Sequence, residues 1–100
     1  MSHPLDVLAE PTRRRILDAL KPERSVGDIA GELALSQPLV SKHLKVLRDA
    51  GLVDVRVDAQ RRLYRVRPEP LRELDAWLAP YRALWSTALD DLERHLEDEH

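Results

Sequence analysis

Between Ser36 and Leu47 the chain reads SQPLVSKHLKVL, and its polar side chains are of kinds that recognise surfaces. Gln37 offers a donor beside an acceptor, which matches the edge of adenine, and Ser41 can bond to several base edges. Pro38 and Leu39 could offer apolar contact to a thymine methyl. Lys42, Lys45 and Arg48 would meet phosphates, contacts that set affinity and register but carry no sequence information. The parts for bond-breaking chemistry are missing: there is no cysteine, no phosphate-cradling glycine loop and no paired carboxylate with an apolar surround. The sequence therefore predicts no enzyme and no cofactor.

Only a helix holds these residues on one side. At about 100° per residue, Val40, Leu44 and Leu47 share one face, with Val46, Leu39, Ala50 and His43 on the adjoining flank. Gln37, Pro38, Ser41, Lys42, Lys45 and Arg48 fall opposite. The helix's only carboxylate is Asp49, at its far end, whereas an ordinary solvated face mixes signs in i,i+4 pairs. His43, on the apolar flank, is read as a packed, hydrogen-bonded side chain or a phosphate contact, not as a base reader. Ser36 is placed to cap the helix and Gly51 to stop it.

The elements around it follow from period and punctuation. Leu5, Val7 and Leu8 predict a short first helix, and Pro11 opens a second over TRRRILDAL. Ser25, with Asp28 three residues on, caps a third helix, VGDIAGEL. A short helix followed closely by the Ser36 helix makes a helix-turn-helix, in which the second helix enters the major groove. LVDVRV alternates with the period of a strand, DAQR turns, and RLYRV returns. This hairpin is a wing bearing Arg56, Arg61, Arg62, Arg65 and Arg67, with Arg61 and Arg62 near enough to its tip to reach minor-groove phosphates. Exposed cations also defend an edge strand against aggregation, and both readings can hold together. The predicted fold class is mainly α, a winged helix-turn-helix in the order α-α-α-α-β-β-α. One domain spans residues 1–100, with the helix-turn-helix at about 26–50, the wing at about 53–67 and a long last helix at about 69–97.

Composition agrees with a globular protein, at 43% hydrophobic and 34% charged residues. The longest run without a charge, Leu33 to Ser41, is nine residues, far short of the ~20 that span a membrane. The opening MSHPLDVLAEPTRRR lacks the basic-then-apolar order of a signal peptide, so a cytoplasmic location is expected, with no membrane partner. Residues 1–67 carry a net charge of +4 and residues 68–100 carry −6. A basic front and an acidic tail suit a front that faces a polyanion.

The stretches EPTRRRILDAL, VGDIAGELALSQPLVSKHLKVLRDAGLV and RRLYRV, within residues 10–66, resemble the ArsR/SmtB family of bacterial winged-helix repressors. The resemblance implies a homodimer joined through the first and last helices, which represses by occupying an inverted-repeat operator in double-stranded DNA. Gln37 and Ser41 match the family's base-reading positions, Ser36, Lys42 and Lys45 its backbone-contacting positions, and Arg61 and Arg62 lie in its wing. Glu10 stands where an Asp often precedes Pro-Thr-Arg, and the wing tip Asp58–Ala59–Gln60 has no glycine to fix the aim of Arg61. The family's metal sites are not matched: VGDIAGEL replaces its cysteine pair, and Asp75 is followed two residues on by Trp77 where a histidine is needed. Asp91 and His95, one turn apart, and His100 are the remaining candidates, too few for a site within one chain. A winged-helix module that bridges proteins without binding DNA is the alternative, and the nearly carboxylate-free face argues against it.

Leu71, Leu74, Leu78, Tyr81, Trp85, Leu89, Leu92 and Leu96 form one stripe along the last helix, widened by Trp77, Leu84 and Ala88. This exceeds what one small domain can cover, so part of it is expected to meet a second copy. The expected dimer interface comprises Leu74, Trp77, Leu78, Tyr81, Trp85, Leu89 and Leu92, with Leu5 and Leu8 added by the resemblance. Trp77, Tyr81 and Trp85 could instead line a pocket for an unknown effector, a less common use of such a stripe. Pro80 is expected to interrupt and kink this helix near Ala76.

Overall fold

Prolines open the helices. In the computed structural model, which describes residues 3–98, helix α1 (Pro4–Leu8), α2 (Pro11–Ala19) and α4 (Gln37–Asp49) each carry a proline in the first two positions. There the missing N–H would have had no partner within the helix. Between α2 and α4 lies α3 (Val26–Leu33). Strands β1 (Val53–Asp58) and β2 (Arg61–Val66) follow, and α5 (Pro68–Asp98) ends the described chain. The winged helix-turn-helix order read from the sequence is the order observed.

Caps set the boundaries. The Glu10 carboxylate accepts from the backbone N–H of Thr12 at 3.1 Å and of Arg13 at 3.2 Å, so glutamate in place of aspartate keeps the α2 cap. Ser25 accepts from Asp28 N–H at 3.2 Å, and Ser36 from Leu39 N–H at 3.3 Å. The C-termini of α3 and α4 close alike. Ala34 (φ 57°) and Gly51 (φ 79°) turn left-handed, and Leu35 N–H and Leu52 N–H reach back to the carbonyls of Ala30 and Leu47 at 3.0 and 2.9 Å. Ala34 adopts that conformation without being glycine, at a cost of about 1–2 kcal/mol.

Three helices wrap one core. Ile16 and Leu20 from the α2 region, Ile29 from α3, and Val40, Leu44 and Leu47 from α4 are fully buried, with Val7 from α1 and Leu52 and Val53 sealing the edges. Leu39 differs from its place on the helical wheel: the wheel sets it on the core flank, yet it is 38% exposed. A helical Cβ leans toward the N-terminus, so a first-turn side chain projects past the end of the helix.

The hairpin is antiparallel and pairs Val53 with Val66, Val55 with Tyr64, Val57 with Arg62 and Asp58 with Arg61. Ala59 takes φ 57° at the tip, the left-handed position that a glycine would otherwise fill. The valine face is buried only at its base, since Val53 is covered while Val57 is 70% exposed. The backbone of Arg24 pairs with Tyr64 in both directions, at 3.0 and 2.7 Å, which holds the entry to α3 beside β2.

Helix α5 continues through Pro80 as one element, so the proline does not divide it in two. The one backbone hydrogen bond that a proline cannot donate is lost there, which a long helix bears without ending. Its 31 residues span about 46 Å and give the molecule extents of 63 × 27 × 21 Å. Leu71 packs on the core, whereas Tyr81, Leu84, Trp85, Leu89, Leu92 and Leu96 remain exposed. Among the described residues no helix is long and apolar enough to cross a membrane.

Candidate nucleic-acid interface

Helix α4 is held from below. Val40, Leu44 and Leu47 are wholly buried, which turns Gln37, Pro38, Ser41, Lys42, Lys45 and Arg48 outward, all of them exposed. Ser36 is exposed at the helix start, its hydroxyl committed to the cap. Lys42, Lys45 and Arg48 form no ion pair among the described residues, and Asp49 remains the helix's single carboxylate.

The hairpin register separates the two tip arginines. Arg62 stands opposite Val57, on the same face as Tyr64 and Val55. There it lines a groove with Ser41, Lys45, Arg48, Asp49 and Tyr64, so β2 and the outer face of α4 share one wall. Arg61 stands opposite Asp58 on the other face. Its guanidinium donates to the Asp28 carboxylate at 3.0 Å, away from that groove.

Other wing cations are also engaged. Arg56 pairs with Glu23 at 2.6 Å and Arg65 with Asp54 at 2.6 Å, while Arg67 lies 3.7 Å from Glu69. The hydrogen bond from Arg56 holds the Glu23 carboxyl below its usual range, and the bond from Arg65 does the same for Asp54. The positive charge counted along the wing in sequence is thus largely answered by neighbouring acids. Arg62 has no such partner among the described residues.

His43 is half-buried, and its Nδ1 accepts from Nε of Arg13 at 3.3 Å. The Glu10 carboxylate lies 3.9 Å from the same nitrogen. Because an arginine only donates, the bond leaves Nδ1 bare and puts the neutral ring's proton on Nε2. The packed role read from the wheel matches this position. Its partner Arg13 was not foreseen, nor was the Asp28 bond to Arg61. Asp28 was read only as a capping-box acid, and nothing local in sequence marks its second contact.

The expected interface residues divide. Leu8 packs against the core and Leu74 and Leu78 are half-buried, whereas Leu5, Trp77, Tyr81, Trp85, Leu89 and Leu92 are exposed. The rings of Trp77 and Tyr81 lie 5.1 Å apart at 42°. Trp77 lines a cleft of about 470 Å³ with Leu5, Leu74 and Glu73, where α1 meets α5, and Tyr81 and Trp85 lie outside it. Asp75 bonds to Arg82, and Asp91 to Arg94 at 2.8 Å. Among the described residues no three His, Asp or Glu side chains stand together as a metal site, and His100 lies outside them.

Residues 8–56 match the family model of a helix-turn-helix domain. The chain is 38% identical to the HTH-type transcriptional regulator Rv2034 of Mycobacterium tuberculosis, over 92% of this chain and 84% of that one. It is 32% identical to the transcriptional repressor SdpR of Bacillus subtilis, over 78% and 88% of the two chains. It also superposes on the homodimeric winged helix-turn-helix DNA-binding domain Mb0332 of Mycobacterium bovis, described as a possible ArsR-family regulator. That match has a TM-score of 0.64 at 32% identity, over 78% of this chain and 73% of that one.

Proposed function

The chain belongs to the ArsR family of winged helix-turn-helix transcriptional regulators, and from that premise we propose that it is a homodimeric repressor of an inverted-repeat operator. One observation carries the reading. The outer face of α4 presents Gln37 and Ser41 beside Lys42, Lys45 and Arg48, none of these cations paired with an acid among the described residues, and Arg62 adjoins them.

Each residue has its part. Gln37 and Ser41 read base edges in the major groove, with Pro38 against a thymine methyl. Lys42, Lys45, Arg48 and Arg62 neutralise phosphates and fix the register, and the helix start at Ser36 lies against the backbone. Two protomers join through α5 and α1, with Trp77, Tyr81, Trp85, Leu89 and Leu92 buried against the second copy. The two-fold axis places the recognition helices in successive major grooves, so the half-sites lie about 10 bp apart. The protein acts in the cytoplasm, where the DNA is, without a cysteine-based metal response.

Footprinting and mobility-shift titration on the protein's own upstream region test this. Gln37→Ala with Ser41→Ala relaxes sequence preference, whereas Lys45→Ala weakens binding to all duplexes alike. If these variants titrate as wild type does, the DNA-reading assignment fails and the protein-bridging alternative takes its place.

A further inference from the structure

Arg61 and Arg62 are neighbours in sequence with identical side chains, yet the β2 register sends them to opposite faces of the wing. Arg62 joins the groove beside α4. Arg61 reaches past Asp58, its partner in the ladder, to the Asp28 carboxylate at 3.0 Å. We propose that Asp28 is a positioning residue that withholds Arg61 from DNA, leaving Arg62 as the wing's phosphate-binding cation. The inference rests on the DNA-binding reading and adds to it which charges the wing delivers.

Three features place Asp28 for this. It lies in the first turn of α3, whose start is fixed by the Ser25 cap at 3.2 Å. The residue before that cap is tied to β2, because Arg24 and Tyr64 exchange both backbone hydrogen bonds. The positive end of the α3 dipole favours a carboxylate in that turn, an attraction that does not depend on Arg61. The contact spans 33 residues of sequence, from the helix-turn-helix to the wing tip. Both side chains are exposed, so neither is confined by burial. What keeps Arg61 in place near DNA is charge balance. If it moved to a phosphate, an uncompensated carboxylate would be left beside a polyanion, and the like-charge repulsion would offset the new contact.

The count of neutralised phosphates is readable, because log K falls with log salt by about 0.9 per phosphate contacted. A random-sequence duplex serves as the probe, since the contact at issue carries no base information. Asp28→Asn should steepen the slope by about 0.9, so that binding loses roughly threefold more than wild type between 50 and 200 mM salt. Asp28→Glu should restore the wild-type slope. Arg61→Ala should leave the slope unchanged, Arg62→Ala should reduce it by about 0.9, and Asp28→Asn should add nothing to the slope in the Arg61→Ala background. Circular dichroism melts establish that each variant is folded. The proposal is overturned if Asp28→Asn keeps the wild-type slope, as when Arg61 falls back on Asp58. It is equally overturned if Arg61→Ala costs as much slope as Arg62→Ala. A wild-type chain whose affinity for duplex DNA ignores salt overturns both this inference and the function it rests on.

Discussion

Nε of Arg13 donates to Nδ1 of His43 at 3.3 Å, joining the first turn of α2 to the middle of the recognition helix across 30 residues of sequence. Glu10 caps the same turn of α2 and lies 3.9 Å from the same imidazole nitrogen. The rotational setting of α4, and with it the aim of Gln37 and Ser41, is therefore fixed by polar contacts as well as by the core.

The acceptor at Nδ1 can be tested by shape. In His43→Asn the amide oxygen stands near the position of Nδ1, whereas His43→Leu keeps apolar bulk and leaves Arg13 without a partner. His43→Leu should lose about 1 kcal/mol of stability and more of its DNA affinity than His43→Asn. Thermal melts and mobility-shift titrations compare the two. Equal behaviour would mean that His43 acts through packing alone.

Leu44 is wholly buried at the centre of α4, among side chains of three helices. Leu44→Ala should destabilise the fold by about 2–5 kcal/mol, a large part of what a domain of this size has. Urea unfolding measures it. A loss below about 1 kcal/mol would mean that the core collapses around the gap.

Acid should loosen the hairpin. Glu23 and Asp54 are held below their usual carboxylate range first by the hydrogen bonds from Arg56 and Arg65. Glu10 is held down first by the backbone N–H of Thr12. A carboxyl with a depressed folded-state pKa stabilises the fold above its unfolded pKa, and that stability is lost as pH falls through the folded value. Melting temperature should therefore hold near neutrality and fall once pH drops below about 4.3 for the glutamates and about 3.9 for Asp54. Glu23→Gln with Asp54→Asn should lower stability at pH 7 and flatten the acid limb. An acid limb as steep as wild type's would place the acid sensitivity elsewhere.

Trp85 and Leu89 are 56% and 65% exposed in the single chain, so truncating them removes little that one protomer buries. Trp85→Ala with Leu89→Ala should raise the dimer dissociation constant by roughly thirtyfold, about 2 kcal/mol. Sedimentation equilibrium gives the mass. An unchanged dimer would move the interface off this half of α5.

Much of the molecule was legible because its signals are local. The caps at Ser25 and Ser36, the apolar face Val40–Leu44–Leu47 and the hairpin at Val53–Val66 each depend on residues a few positions apart. Leu39 was misjudged because a helical wheel has no ends, and the first turn lies at one. Pro80 lies inside a helix that continues on both sides of it, because one missing N–H weakens a long helix without ending it.

The amino-acid order by itself determined where each helix starts, which face of α4 is polar and that this face is almost free of carboxylates. Those properties follow from the periods of helix and strand and from side-chain chemistry. Tertiary structure alone decided what each charge meets. Arg61 meets Asp28 and Arg56 meets Glu23, each across 33 residues of sequence, while Arg62 turns to the recognition helix. An ion pair depends on charged atoms coming within a few ångströms of each other, and only the packing of α3 and the segment before it against the hairpin sets that distance.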